Sequence, residues 1–395
     1  MDTIRINSYP LKLTYGSQPM KVCVVHNTLN SVGGGERVCL AIIETLKELG
    51  HKVTLLTVEP TNWEYVERVV GDAVRPDEEV SLLSFRLRAF GIYMRLLTFL
   101  IIIRSRGTCD LVVNTHGGIL PITSDIIYMH FPTFALIKEA PNIKYSKSLF
   151  WRLYFLPYEK IQSWLVKRRR WRILLTNSEF SREAIRRHIG TNAEVLYPPV
   201  DVHEFLKVSE SRSRVDRVIS CGRYTPEKNY EFILRIAKEL PHIEFVIMGA
   251  YSGRISSAYY SKLVRLKEKL RLKNVKLLRS VPRDEQLKIY SNSKVFLHAM
   301  VGEHFGVAVV EGMAAGLVPV VHKSGGPWYD IVDGGKYGLG YLSVEEAIDA
   351  ISKAINSYWR LRNVVLERAR AFSKEKFKQE FKEIMLTFTF QHSAE

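Results

Sequence analysis

Cysteine is scarce in this 395-residue chain, and the four residues, Cys23, Cys39, Cys109 and Cys221, include no Cys-x-x-Cys. Their scatter argues against a zinc site and a disulfide framework and suits a reducing compartment. There is no Gly-x-x-x-x-Gly-Lys-Ser/Thr, so Gly33-Gly34-Gly35 is not an NTPase phosphate loop. There is no Gly-x-Gly-x-x-Gly, which weakens a dehydrogenase reading, and no Asp-x-Asp. The apolar stretch 89–103 contains Arg95 and is shorter than the roughly 20 residues a membrane span needs, so no transmembrane helix is expected there. Residues 1–19 lack the long apolar centre of a signal peptide and read as a lead-in. Neither a fixed-period repeat nor a low-complexity tract is found.

What is present is strand and helix in alternation. Strands are expected at Lys21–His26, Lys52–Val58, Asp110–Asn114, Ile126–His130, Arg172–Asn177 and Glu194–Tyr197. In the second half they are expected at Arg217–Cys221, Glu244–Met248, Val275–Leu278, Val295–His298 and Val318–His322. Helices are expected at Gly35–Leu49, about 85–105, 145–170 and Glu179–Ile189, and between the later strands. This is the pattern of doubly wound parallel sheets, an α/β fold, and the length suits two domains with separate cores. Tyr197-Pro198-Pro199-Val200-Asp201 marks the break, because two prolines end a strand and stiffen a linker. The domains are then 20–200 and 201–373, with 374–395 containing a final amphipathic helix.

The most informative segment is Gly302-Glu303-His304-Phe305-Gly306-Val307-Ala308-Val309-Val310-Glu311-Gly312. It sets two carboxylates eight residues apart across a glycine-containing turn and the start of an apolar helix. Phe305 to Ala315 is apolar apart from Glu311, so a buried helix is expected. A Glu there is costly unless a structural partner or a ligand satisfies it. The N–H groups at the helix start are a seat for phosphate. Upstream, Gly222-Arg223-Tyr224-Thr225-Pro226-Glu227-Lys228-Asn229 follows a strand and leads into a helix, with Pro226 near its first turn. Arg223 and Lys228 fall at the carboxyl end of a parallel strand, where such sheets bind ligands. A planar fork and a mobile ammonium together suit a diphosphate, although either alone also reads as a solvated charge.

The formal net charge of +16 calls for an acidic partner: nucleic acid, anionic membrane or phosphorylated substrate. Arg86, Arg88, Arg95, Arg104 and Arg106 punctuate the apolar run that includes Leu96 to Ile103. Lys144, Lys147, Arg152, Lys160 and Lys167-Arg168-Arg169-Arg170 alternate with Phe150, Trp151, Tyr154, Phe155, Trp164 and Trp171. Helices of this composition read as lying in a membrane interface, and a core helix with a solvated basic face is the plainer alternative. No RNA-binding signature accompanies these segments, so nucleic acid is not the expected partner.

The two site motifs resemble the donor site of the retaining family-4 glycosyltransferases, which have the GT-B fold of two Rossmann-like domains facing across a cleft. Gly33-Gly34-Gly35-Glu36-Arg37, Tyr128-Met129-His130-Phe131-Pro132, Thr176-Asn177-Ser178-Glu179-Phe180-Ser181, Tyr197-Pro198-Pro199-Val200-Asp201 and Ser324-Gly325-Gly326-Pro327 match in order, from Met20 to about residue 385. The likeness is greatest to the eukaryotic mannosyltransferases that extend dolichol-linked oligosaccharides at the endoplasmic reticulum, above all the α-1,2-mannosyltransferase. It implies a nucleotide-sugar donor, GDP-mannose by the resemblance alone, and a lipid-linked glycan acceptor. It implies donor contacts from Arg223, Lys228, Glu303, Phe305, Gly306, Val307 and Glu311, with Glu311 on the ribose and Glu303 on the sugar. His130 is placed near the sugar and leaving phosphate, and with Arg223, Lys228 and Glu303 makes up the catalytic set. Gly33, Gly34, Gly35, Glu36 and Arg37 are placed on the acceptor side, with His116 a neighbour. The resemblance implies that the final helix crosses back onto the first domain. Glycosyltransferases of the other major fold hold a metal through Asp-x-Asp; its absence here implies that no metal or other cofactor is required, with Arg223 and Lys228 in the metal's place. Peripheral attachment at the cytoplasmic face of a membrane is expected. The competing readings are a transferase using a UDP-sugar on a soluble acceptor, a nucleotide-sugar epimerase, and a basic nucleic-acid-binding protein.

Overall fold

Most strands are short, apolar and rich in valine, isoleucine and leucine, and helices lie between most of them along the chain. In the first domain the strands are β1 (Lys21–Val25), β2 (Lys52–Thr57), β3 (Glu78–Ser81), β4 (Leu111–Asn114), β5 (Ser124–Met129), β6 (Trp171–Thr176) and β7 (Glu194–Val195). They pair in the order β3-β2-β1-β4-β5-β6-β7, every pairing parallel. Named helices there are α1 (Gly34–Glu48), α2 (Trp63–Val70), α3 (Leu149–Val166) and α4 (Glu179–Ile189). The structure, a computed structural model, describes residues 19–392 apart from 72, 87–96, 99, 102, 104–106, 118–123, 133–148, 169–170 and 252. The expected lead-in up to residue 18, most of the expected helix at 85–105 and the start of that at 145–170 fall outside the described residues. So do Arg88, Arg95, Arg104, Arg106, Lys144, Lys147, Arg169 and Arg170.

The second sheet holds β8 (Arg217–Arg223), β9 (Glu244–Ala250), β10 (Val275–Arg279), β11 (Val295–His298), β12 (Val318–His322) and β13 (Leu339–Tyr341), in the parallel order β10-β9-β8-β11-β12-β13. Its helices are α5 (His203–Ser209), α6 (Tyr230–Glu239), α7 (Gly253–Lys269), α8 (Arg283–Ser291), α9 (Val307–Ala314), α10 (Val344–Asn356) and α11 (Tyr358–Arg370). Alternate residues of these strands feed cores on the two faces. Val218, Phe245, Ile247 and Val320 pack with Ile233, Leu234 and Ile351; Ile219, Val246 and Val321 pack with Val309, Val310, Met313 and Phe372. Burial on both faces explains why these strands read as continuous apolar runs. β3 and β13 were not expected from the sequence. Both are short edge strands, and β3, Glu-Glu-Val-Ser, carries too little apolar patterning to be seen.

The chain crosses between the sheets twice, and the crossings run side by side. The Val200 N–H donates to the Phe372 carbonyl at 3.1 Å, and the Lys374 N–H to the Val200 carbonyl at 3.0 Å. The final helix α12 (Lys374–His392) then returns to the first domain. Phe377, Phe381, Met385 and Phe388 enter the core around Val22, Val24, Val38 and Ile42. Lys378 bridges Glu44 and Glu48 of α1, with Lys374 on Glu44 and Lys382 on Glu48.

One expectation needs correction. Cys23 in β1 and Cys109 just before β4 form a disulfide, with Cα atoms 5.8 Å apart. Adjacent parallel strands bring together residues 86 apart in sequence, so spacing carried no sign of the pair. The described aromatic residues of the segment 145–171 divide between core and surface, with Trp164 exposed. Phe155 packs with Ile127 and Met129 in the core, and Tyr154 and Trp171 are half-buried.

Candidate functional site

The carboxyl ends of both sheets open onto one cleft, and the motif residues arrive there by strand-to-helix turns. On the second domain, Arg223 is the last residue of β8. The turn Pro226–Lys228 follows, and Asn229 in a left-handed conformation passes the chain into α6. The Asn229 amide donates to the Ala299 carbonyl at 3.3 Å, tying this turn to the end of β11. Lys228 extends across Gly222, where a Cβ would stand 3.4 Å from its Cε. Lys228 Nζ meets Glu303 Oε2 at 2.5 Å, and both side chains are largely buried. Burial alone would raise the Glu303 carboxyl. The Lys228 ammonium and the His298 imidazole outweigh burial and hold it well below the usual carboxylate range. Arg223 is different: its side chain is 72% exposed and stands 3.9 Å from Glu227, extended into solvent and not packed beside Lys228.

Glu303 lies in a loop held by the Ser324-Gly325-Gly326-Pro327 motif. The Gly302 N–H donates to Ser324 Oγ at 2.9 Å, and the Gly326 N–H to the Glu303 carbonyl at 2.8 Å. A Cβ on Gly325 would come within 2.3 Å of the Glu303 carbonyl oxygen, and one on Gly326 within 2.4 Å of that of His304. Only glycine allows this approach of two backbones. Gly306, at φ +107°, turns the loop into α9. The helix is not buried all round, as the sequence suggested: Val307, Ala308 and Glu311 are half-exposed and form its cleft side. Burial pushes the Glu311 carboxyl up, while Arg37 from the first domain and Arg283 draw it down.

Across the cleft, the turn after β1 supplies Gly33 to Arg37. Glu36 Oε2 accepts the Gly33 N–H at 2.8 Å, so this carboxylate caps α1. A Cβ on Gly34 would stand 3.9 Å from Val307 Cγ2, and one on Gly35 3.2 Å from His130 Nε2. The glycines therefore lie between the His130 ring and the start of α9. His130 follows β5. Its Nε2 is 3.2 Å from the Thr115 carbonyl, which only accepts, so that nitrogen carries a proton. His116 is not gathered into this group: it is buried, with Nε2 3.2 Å from Thr98 Oγ1 inside the first domain.

Three contacts were not anticipated, and they join the domains at the Glu303 loop. Ser178 Oγ donates to the His304 carbonyl at 2.7 Å. The His304 ring stacks on Phe131 with centroids 4.0 Å apart. Asp330 accepts the Glu179 N–H at 2.6 Å and the Phe180 N–H at 3.4 Å, capping α4 from the other domain. Ser178, Phe131 and His304 sit within motifs singled out from sequence, but their pairing appears only when the sheets face each other. His298, 3.5 Å from Glu303 Oε2, was also missed; its one sequence signal is its place at the end of the strand leading to Glu303.

The profile described as Glycosyltransferase Family 4 matches residues 32–204, and that described as Glycosyl transferases group 1 matches 201–379, so the two take in both domains in succession. The chain belongs to the family-4 glycosyltransferases. Among curated relatives of this glycosyltransferase, the Homo sapiens GDP-Man:Man(3)GlcNAc(2)-PP-Dol alpha-1,2-mannosyltransferase is 30% identical over 213 residues, 49% of this chain and 43% of that protein. The Caenorhabditis elegans protein of the same description is 26% identical over 62% of this chain and 59% of its own length. The chain thus spans about half the length of the curated relatives it matches. The GT-B fold is shared with Anabaena HepE in complex with UDP-glucose, at TM-score 0.68 and 15% identity, over 93% of this chain and 100% of that one.

Proposed function

We propose that this family-4 glycosyltransferase moves mannose from GDP-mannose to a lipid-linked glycan, with retention and without a metal, at the cytoplasmic face of a membrane. The observation that carries the proposal is the Lys228–Glu303 pair at the carboxyl end of the second sheet, opposite His130 and the glycine turn. In this reading Lys228 and Arg223 neutralise the diphosphate as charge develops on the leaving group. The N–H groups from Phe305 to Val307 add the positive end of α9. Glu311 takes the ribose hydroxyls and Glu303 a hydroxyl of the sugar. His130 stands near the sugar and leaving phosphate, and the acceptor enters past Gly33 to Arg37. The bond from the anomeric carbon to the diphosphate breaks as the acceptor oxygen bonds on the same face, and the acceptor proton passes to the departing phosphate oxygen. The mannosyl donor and dolichol-linked acceptor named for the curated relatives support the choice of substrates.

Membrane contact is assigned to α3. Leu153, Leu156, Lys160, Ile161 and Trp164 form its exposed side, Lys167 and Arg168 follow its last turn, and the Arg168 guanidinium lies 4.0 Å over the Trp164 ring. No helix among the described residues is long and apolar enough to cross a membrane.

Thermal unfolding with GDP, UDP and ADP tests the donor, since a ligand that binds only the folded chain raises its stability. GDP is expected to give the largest shift, and a larger shift with UDP overturns the choice of base. Mannosyl transfer to a lipid-linked glycan is expected to survive EDTA. Loss on chelation with recovery in Mn²⁺ or Mg²⁺ overturns the cation roles of Arg223 and Lys228.

A further inference from the structure

We infer that His298 is a positioning residue of the donor pocket, donating its Nε2–H to Glu303 Oε2 so that Glu303 stays in place when Lys228 turns to the diphosphate. The inference rests on the donor reading of this pocket. His298 closes β11, which lies between β8 and β12, and its carbonyl accepts the Tyr341 hydroxyl at 2.9 Å, so the backbone beneath the ring is held. The side chain is 6% exposed. Its Nε2 is 3.5 Å from Glu303 Oε2, the oxygen that Lys228 Nζ meets at 2.5 Å.

The tautomer follows from the partners. Burial and the nearby Lys228 lower the His298 pKa, against the pull of Glu303, and the ring is neutral with one N–H. Nδ1 is buried and has no hydrogen-bond partner among the described residues. A proton there would be a buried donor facing no acceptor among the described residues, which is costly. A proton on Nε2 faces a carboxylate oxygen. The Nε2–H form is therefore favoured, and it aims at the oxygen shared with Lys228.

The two donors differ in freedom. Lys228 reaches Glu303 through a flexible four-carbon stem, and a diphosphate competes directly for its ammonium. His298 sits on a central strand with no such competitor. While Lys228 is drawn to phosphate, the imidazole keeps Glu303 oriented. Lys228 and His298 both meet Oε2, and Oε1 is left for a hydroxyl of the donor sugar. The expected signature of losing His298 is a defect in recognising the sugar with nucleotide recognition intact.

The test compares His298→Leu, which removes the donor, with His298→Gln, whose amide nitrogen can take the place of Nε2. Calorimetry with GDP and with GDP-mannose separates the nucleotide from the sugar, and kcat and KM are measured alongside. GDP affinity is expected to change by less than about twofold in either variant. GDP-mannose affinity is expected to fall about tenfold in His298→Leu, the loss of one hydrogen bond to a charged group, and to recover largely in His298→Gln. Wild-type GDP-mannose affinity in His298→Leu overturns the inference, as does an equal loss of GDP and GDP-mannose or a failure of glutamine to restore binding. Long-range ¹H–¹⁵N spectra of the ligand-free protein give a readout that does not depend on the donor. The expected result is an Nε2–H tautomer whose signals move in Glu303→Gln, and an Nδ1–H tautomer overturns the inference. If the wild-type protein binds neither GDP nor GDP-mannose, the donor reading fails, and the tautomer still decides the His298–Glu303 contact.

Discussion

Lys228 and Arg223 were read from sequence as one pair, yet they occupy opposite environments. Lys228 is largely buried against Glu303, so its charge is already desolvated and directed. Arg223 is mostly exposed and its nearest acid is Glu227, so it adds little to the fold. Their substitution should separate accordingly. Arg223→Ala is expected to leave the unfolding midpoint unchanged and to lower kcat/KM for the nucleotide-sugar. Lys228→Ala leaves Glu303 without its cation and is expected to cost about 2 kcal/mol as well as activity. The double variant is expected to lose nearly all transfer. Denaturant titration beside initial rates checks both, and normal turnover in a folded double variant removes the diphosphate assignment.

Among the elements, the start of α4 links the domains most directly. Burial raises the Asp330 carboxyl to about 6, against the Glu179 and Phe180 N–H groups that favour its ionised form. The folded-state value lies above the ordinary 3.8. Ionisation therefore works against the folded state: the penalty is present in full above pH 6, shrinks as pH falls, and is gone below about 3.8. By linkage this amounts to roughly 3 kcal/mol at most. Asp330→Asn is expected to flatten stability between pH 4 and 6.5 relative to the wild type, measured as the denaturant midpoint against pH. A variant whose profile runs parallel to the wild type over that window shows that Asp330 does not titrate there. The Cys23–Cys109 disulfide acts at the same scale by closing a long loop of the unfolded chain. Thiol titration of the denatured, unreduced protein is expected to find two free thiols, Cys39 and Cys221. Cys109→Ser is expected to lower stability by up to about 4 kcal/mol.

For the whole molecule, the net charge of +16 gives the protein a field that favours anionic surfaces, and α3 provides an exposed apolar and aromatic side with lysine and arginine at one end. Binding to vesicles containing anionic lipid is expected to exceed binding to neutral vesicles and to weaken with salt, each basic residue near the surface adding about 1 kcal/mol. Lys160→Glu with Lys167→Glu and Arg168→Glu is expected to release the protein without changing nucleotide affinity, because the proposed nucleotide side belongs to the other domain. Sedimentation with liposomes, together with quenching of Trp164 fluorescence, checks this. Equal partitioning on neutral and anionic vesicles makes the α3 side an ordinary solvated face.

The sequence by itself determined the fold class and most strands, because a strand buried on both faces leaves an uninterrupted apolar run such as Val295–His298 or Val318–His322. It also marked the turns that carry Lys228, Glu303 and Gly33 to Gly35, since glycine and proline at strand ends are local signals. The edge strands β3 and β13 escaped because few side chains on them are buried. Tertiary structure alone decided what meets across the two sheets. The approach of Gly34 to Val307, the stacking of Phe131 on His304, the cap of Asp330 on α4, the Cys23–Cys109 bond and the inward turn of His116 toward Thr98 all depend on how separately folded segments are placed. Local propensity acts within a few residues of the chain. These contacts join residues tens to more than a hundred positions apart, or depend on a pocket such residues form, and packing alone sets their distances.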